Sequence, residues 1–144
     1  MGDVLGVVTS IVERALDAVR LRRRLKVKTV HGFLPGVEAH RILVMTQMTN
    51  VGQRRVVVNS CGFNVNGKPH ALIPAGSTHP LPATLEDGDQ VVTWLRAHVL
   101  AGQLRQYGYR EVVKLRAWVG DTSGVIHRGD TIEFDIDQAV NTNQ

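Results

Sequence analysis

The first apolar positions along the chain recur with a helical period. Val4, Val8, Ile11, Val12, Ala15, Leu16 and Val19 fall on one side of a helical wheel, with Ser10, Glu13, Arg14, Asp17, Arg20 and Arg24 opposite. The spacing predicts an amphipathic helix over residues 3–24, with Asp3 at the end that favours anions and Arg20 through Arg24 at the end that favours cations. Gly6 and the β-branched residues lower its intrinsic propensity. From Leu25 the period becomes two: Leu25, Val27 and Thr29 alternate with Lys26, Lys28 and Val30, as in a half-buried strand.

Further strands are predicted over residues 40–49 and 54–63, separated by the turn Asn50-Val51-Gly52. A glycine-bearing turn over 64–68 leads to a short edge strand over 69–73, and three prolines make 74–82 an irregular loop. Glu86-Asp87-Gly88-Asp89 turns the chain into a strand over 90–97, and residues 99–107 read as a short crossover helix ended by Gly108. The strongest strand is 111–119. Asp121-Thr122-Ser123-Gly124 then has Asp first and Gly fourth, as a type I turn prefers. Strands over 125–127 and 131–136 complete the set.

Short strands at roughly regular spacing, with a single helical connection, define a mainly β fold, an antiparallel β-sandwich rather than a parallel α/β sheet. The expected organisation is an N-terminal amphipathic basic helix (1–24), one β-sandwich domain (25–137) and a flexible tail (138–144). No internal repeat is present, and 144 residues suffice for one core.

Charge sharpens the division. Residues 1–28 hold seven Lys/Arg against Asp3, Glu13 and Asp17, and this excess of four accounts for the whole formal net charge of +4. Cys61 is the only cysteine, so no intrachain disulfide forms and a reducing, cytoplasmic setting is expected. Neither a signal peptide nor a membrane-spanning stretch is read at the N-terminus, where Glu13, Arg14 and Asp17 interrupt the apolar run. Gly6 stands where a myristoylation pattern needs Ser or Thr.

Catalytic chemistry finds no motif. There is no Gly-x-Ser-x-Gly elbow, no phosphate-binding loop and no signature around Cys61, which reads as a small core hydrophobe. The six histidines lack metal-ligand spacing, so no metal and no cofactor is expected. Asp135 and Asp137 share a strand face in this reading, as edge protection rather than an acid–base pair, and turn chemistry explains Asp87 and Asp89. On strand 111–119, Val113, Leu115, Ala117 and Val119 form the inward face, so Lys114, Arg116 and Trp118 point the other way. That cationic face with one aromatic suits an anionic or nucleic-acid ligand, or else lies under a helix. Trp94, beside Val92, reads as core.

The turn Asn50-Val51-Gly52, the valine strand after it, and Leu85-Glu86-Asp87-Gly88 leading into another strand resemble the rhythm of bacterial immunoglobulin-like sandwich domains, over roughly residues 25–136. The resemblance implies an accessory or adhesive binding module. No functional residue carries over from it.

The functional expectation is a non-enzymatic β-sandwich protein-interaction or assembly module, with a protein partner or self-association into an oligomer. The alternative is a peripheral membrane protein docking on an anionic surface through its basic helix, hence cytoplasmic and membrane-associated. Binding of nucleic acid or another anionic ligand ranks below both, as does an enzyme with a dispersed site. The candidate interaction residues are Arg20, Arg22, Arg23, Arg24, Lys26, Lys28, Lys114, Arg116 and Trp118.

Overall fold

The computed structural model describes residues 24–32, 42–71 and 74–141. Among them run β1 (Leu25–Gly32), β2 (Leu43–Asn50), β3 (Val56–Val65), β4 (Lys68–Ala71), β5 (Gly76–Ser77), β6 (Ala83–Leu85), β7 (Gln90–Arg96), α1 (Ala97–Gln106), β8 (Val112–Asp121), β9 (Ile126–Asp135) and α2 (Ile136–Asn141). The strands form two sheets with antiparallel pairing throughout. Sheet A has the order β1-β2-β7-β5, and sheet B the order β4-β3-β8-β9 with β6 added on β3.

Period-two patterning places the core between the sheets. Val113, Leu115, Ala117 and Val119 of β8 are all buried, as are Val44 and Met48 of β2 and Val91 and Leu95 of β7, and all belong to one apolar cluster. Cys61 Sγ on β3 lies 4.0 Å from Thr93 Oγ1 on β7, a direct contact from one sheet to the other. Along one flank the sheets also meet at their edges, where Gly129 of β9 lies against the carbonyl of Val27 in β1.

The two turns that carried the family resemblance are one structure. Asn50 is fully buried; its Nδ2 donates to the carbonyls of Leu85 and Arg54, both at 2.8 Å, and its Oδ1 accepts from Gly52 N at 3.0 Å. Gly88 N in turn donates to Asn50 O at 2.8 Å. The Leu85 carbonyl, the Gly52 amide and the Asn50 side chain would otherwise be buried polar groups without a partner.

Helix α1 takes the chain from sheet A to sheet B. Ala97, Leu100, Ala101 and Leu104, at helical spacing, are its buried residues, and it packs on α2. Arg105 near its C-terminal end pairs with Asp137 of α2 at 2.7 Å.

Several expectations are corrected. Residues 125–127 and 131–136 are not two strands: β9 is continuous, with a register shift opposite Arg116–Trp118 that absorbs Gly129 and Asp130. The irregular 74–82 loop contains β5, and β6 was not foreseen; both are too short to show a period. Residues 138–141, expected in a frayed tail, continue α2, which buries Ile136 and Ala139. Asp135 and Asp137 therefore do not share a strand face. Asp135 accepts from Gln138 N at 3.0 Å as the helix N-cap, and Asp137 binds Arg105. Trp94 does lie beside Val92, but both belong to a second apolar cluster with Leu43, Met45 and Val30, apart from the inter-sheet core.

Candidate interaction face

β8 carries its polar residues outward because its four inward positions are filled by the core. Lys114 and Arg116 are exposed and Trp118 is half-buried, all on the outer face of sheet B. Antiparallel pairing sets Glu133 opposite Lys114, Thr131 opposite Arg116 and Arg128 opposite Trp118. The cationic centre of this face is therefore Arg116, Trp118 and Arg128, while the charge of Lys114 is locally offset by Glu133. Arg116 Nε donates to Gly129 O at 2.7 Å, which fixes the orientation of its guanidinium.

On the other side of β8, Trp118 pairs with Gly62 of β3. A side chain at Gly62 would run into the indole ring and the His70 carbonyl, so the absence of one lets the indole lie across β3. The indole Nε1 is shielded and finds no acceptor among the described residues. Arg128 escaped the sequence reading because it falls in the gap between the strands expected over 125–127 and 131–136, whereas β9 runs through it.

The remaining candidates do not converge here. Lys26 and Lys28 are exposed on the outer face of sheet A, and Arg24, also exposed, precedes β1. Arg20, Arg22 and Arg23, with the whole predicted 3–24 helix, lie outside the described residues.

A Ser, an Asp and a His do converge, at the β8–β9 hairpin. Asp121, buried, accepts through Oδ1 from Ser123 Oγ (2.5 Å), Ser123 N (2.9 Å) and Val125 N (3.1 Å), while its Oδ2 lies 2.8 Å from His127 Nε2. Burial alone raises the carboxyl pKa, but the hydrogen bonds from Ser123, His127 and the Val125 and Ser123 amides outweigh it and hold Asp121 at about 2. Nucleophilic catalysis needs the hydroxyl on the imidazole. Here both Ser123 and His127 engage the carboxylate instead, and the arrangement closes a turn.

Cys61 sits half-buried against Thr93. Burial pushes its thiol pKa up, the Thr93 hydrogen bond only partly opposing it. The described histidines have local partners: His31 stacks edge-on against Phe134, His70 meets Tyr109 Oη at 3.0 Å, and His79 Nδ1 meets Thr78 Oγ1 at 3.1 Å. Among the described residues no group of three or more His, Cys, Asp or Glu is placed to hold a metal ion. Two open clefts of about 330 Å³ each, one beside His79 and Gln90 and one beside His31 and Glu133, adjoin neither Trp118 nor Asp121. No helix among the described residues is long and apolar enough to cross a membrane.

No protein-family model matches the chain, and no curated protein matches it. Among solved structures, the secreted serine protease VesC from Vibrio cholerae aligns with a TM-score of 0.43 and 12% identity over 83% of this chain, which spans only 24% of that protein. A likeness at that level says nothing about activity.

Proposed function

We propose that this chain is a non-enzymatic, immunoglobulin-like sandwich module that binds an acidic segment of a protein partner on the outer face of sheet B. The observation that carries the reading is Trp118 two residues from Arg116 on β8 and opposite Arg128 on β9, on the outer face of sheet B, with the Arg116 guanidinium already oriented by Gly129 O. Arginines beside an aromatic are among the residue types that dominate protein interfaces, where the ring supplies area and the guanidinium supplies directed bonds to carboxylates. Sheet edges are poorer docking sites here. β5 has two residues, β4 carries Pro69, and β1 and β9 lie against each other.

The test uses Trp118 as its own reporter in the full chain with Trp94→Phe. Titration with an aromatic-free, Asp/Glu-rich peptide is expected to shift Trp118 emission saturably, and Arg116→Glu or Arg128→Glu should weaken the response by about tenfold or more, on the order of 1.4 kcal/mol each. A response to anionic vesicles or duplex DNA with none to the peptide would replace this reading with the membrane or nucleic-acid one.

A further inference from the structure

Sheet A should be open to water on its outer face, since its inner face already lines the core. The residues there do not fit that role. Lys26, Lys28, Gln47, Thr49 and Gln90, at the end where the chain enters β1, are ordinary surface residues. Val92, level with Gln47 and Lys28 in mid-sheet, and Met45 and Leu43 beyond it also point away from the core, and they are 8%, 3% and 0% exposed. Val30 and Trp94 are half-buried beside them. None of the described elements forms a layer over this cluster, and a buried apolar patch of leucine, methionine, valine and tryptophan requires one.

We infer that the N-terminal segment supplies that layer: residues 1–20 fold back as a helix antiparallel to β1 and lie on the outer face of sheet A, with Val4, Val8 and Val12 over Leu43, Met45 and Val92. Two observations select this occupant. The segment ends beside the face it would cover, because Val51 N bonds Arg24 O at 2.9 Å and so fixes Arg24 next to the first pair of the sheet. Its length fits. With a reversal at residues 21–23, Val12, Val8 and Val4 stand about 12, 18 and 24 Å back along a helix of 1.5 Å rise, while Val30 (opposite Met45) and Gly32 (opposite Leu43) stand about 17 and 23 Å along β1.

With the valines on the sheet, Glu13 and Asp17, on the opposite side of the helix, face solvent, and Ala15, Leu16 and Val19 continue the apolar stripe over the aliphatic stems of Lys26 and Lys28. On this account the N-terminal segment completes its own domain, and its stripe is not the surface that meets a membrane.

The test keeps the chain whole. In a Cys61→Ser background, Val8→Cys with Met45→Cys is expected to form an intramolecular disulfide on mild oxidation, seen as a faster-migrating monomer on a non-reducing gel, whereas Leu16→Cys with Met45→Cys should not. In a Trp118→Phe background, Val8→Glu with Val12→Glu should red-shift Trp94 emission and raise its quenching by acrylamide, while Ser10→Glu leaves both unchanged. Retained protection of Trp94 in the double Glu variant would overturn the proposal, because some other segment would then cover the face. A disulfide formed only between two copies would overturn it in favour of an exchanged helix.

Discussion

Buried polar side chains do most to specify how the ends of this sandwich join. Asn50 ties the end of β2 to the connection before β3 and to the end of β6 through three side-chain bonds. Asn50→Ala should cost about 2–4 kcal/mol, because the Leu85 carbonyl and the Gly52 amide lose a partner where water does not readily replace it. Urea unfolding of the variant beside the parent measures this, and a loss within a few tenths of a kcal/mol would mean that the knot is dispensable. Asp121 performs the matching task at the β8–β9 hairpin, and its charge makes the contribution pH-dependent. Its native pKa of about 2 lies below its ordinary 3.8, so the folded state binds the proton less readily than the unfolded chain. The stabilisation is therefore complete above about pH 4 and is lost as the pH falls towards 2, on the order of 2 kcal/mol in all. Asp121→Asn should be less stable at pH 7 and should approach the parent as the pH drops; a constant gap between the two curves would assign the stabilisation to shape rather than charge. At Cys61 the raised thiol pKa predicts alkylation by iodoacetamide at pH 7.5 slower than that of free cysteine, and acceleration on unfolding in urea.

At the scale of elements, the strands that bury one face were legible from period alone. β8 is the clearest: Leu115→Ala should cost about 2–5 kcal/mol, whereas Lys114→Ala should stay within about 0.5 kcal/mol, and equal losses at both positions would contradict the register. Where alternation broke down, so did the reading. Leu43, Val44 and Met45 are consecutive and all buried, because β2 is covered on both faces, and a run of that kind does not tell which residue faces which layer. β5 and β6 have two and three residues and exist through pairing with β7 and β3, information that sequence periodicity does not contain. Arg128 was hidden for a related reason: Gly129 and Asp130 read as a break in the strand, whereas the bulge they form lets β9 continue through them. Asn-x-Gly and Leu-x-x-Gly were visible as turns, but not that Asn50 would bond Leu85 across 35 residues of chain.

For the whole molecule, the arrangement of edges decides whether the chain remains a discrete particle. A sandwich of two open sheets has four edges, and each is a template for pairing with another chain. Two are kept short: β5 has two residues, and β4 has four, of which Pro69 offers no N–H. The other two, β1 and β9, are eight and ten residues long and protect each other by lying side by side. That seam depends on Gly129, where a side chain would come within 2.7 Å of the Val27 carbonyl oxygen, a backbone atom that cannot swing aside. Gly129→Val should therefore separate β9 from β1 and cost about 1–3 kcal/mol, the range for forcing extra methyl groups into a packed site. Because the separation uncovers two long edges at once, the loss of stability should come with concentration-dependent self-association. Urea midpoints give the first quantity, and sedimentation velocity over a range of protein concentrations gives the second. Gly129→Ser, with a smaller side chain, should fall between the variant and the parent in both. A Gly129→Val chain that unfolds like the parent and stays monomeric would show that the β1–β9 contact is incidental and that the edges are guarded by something else.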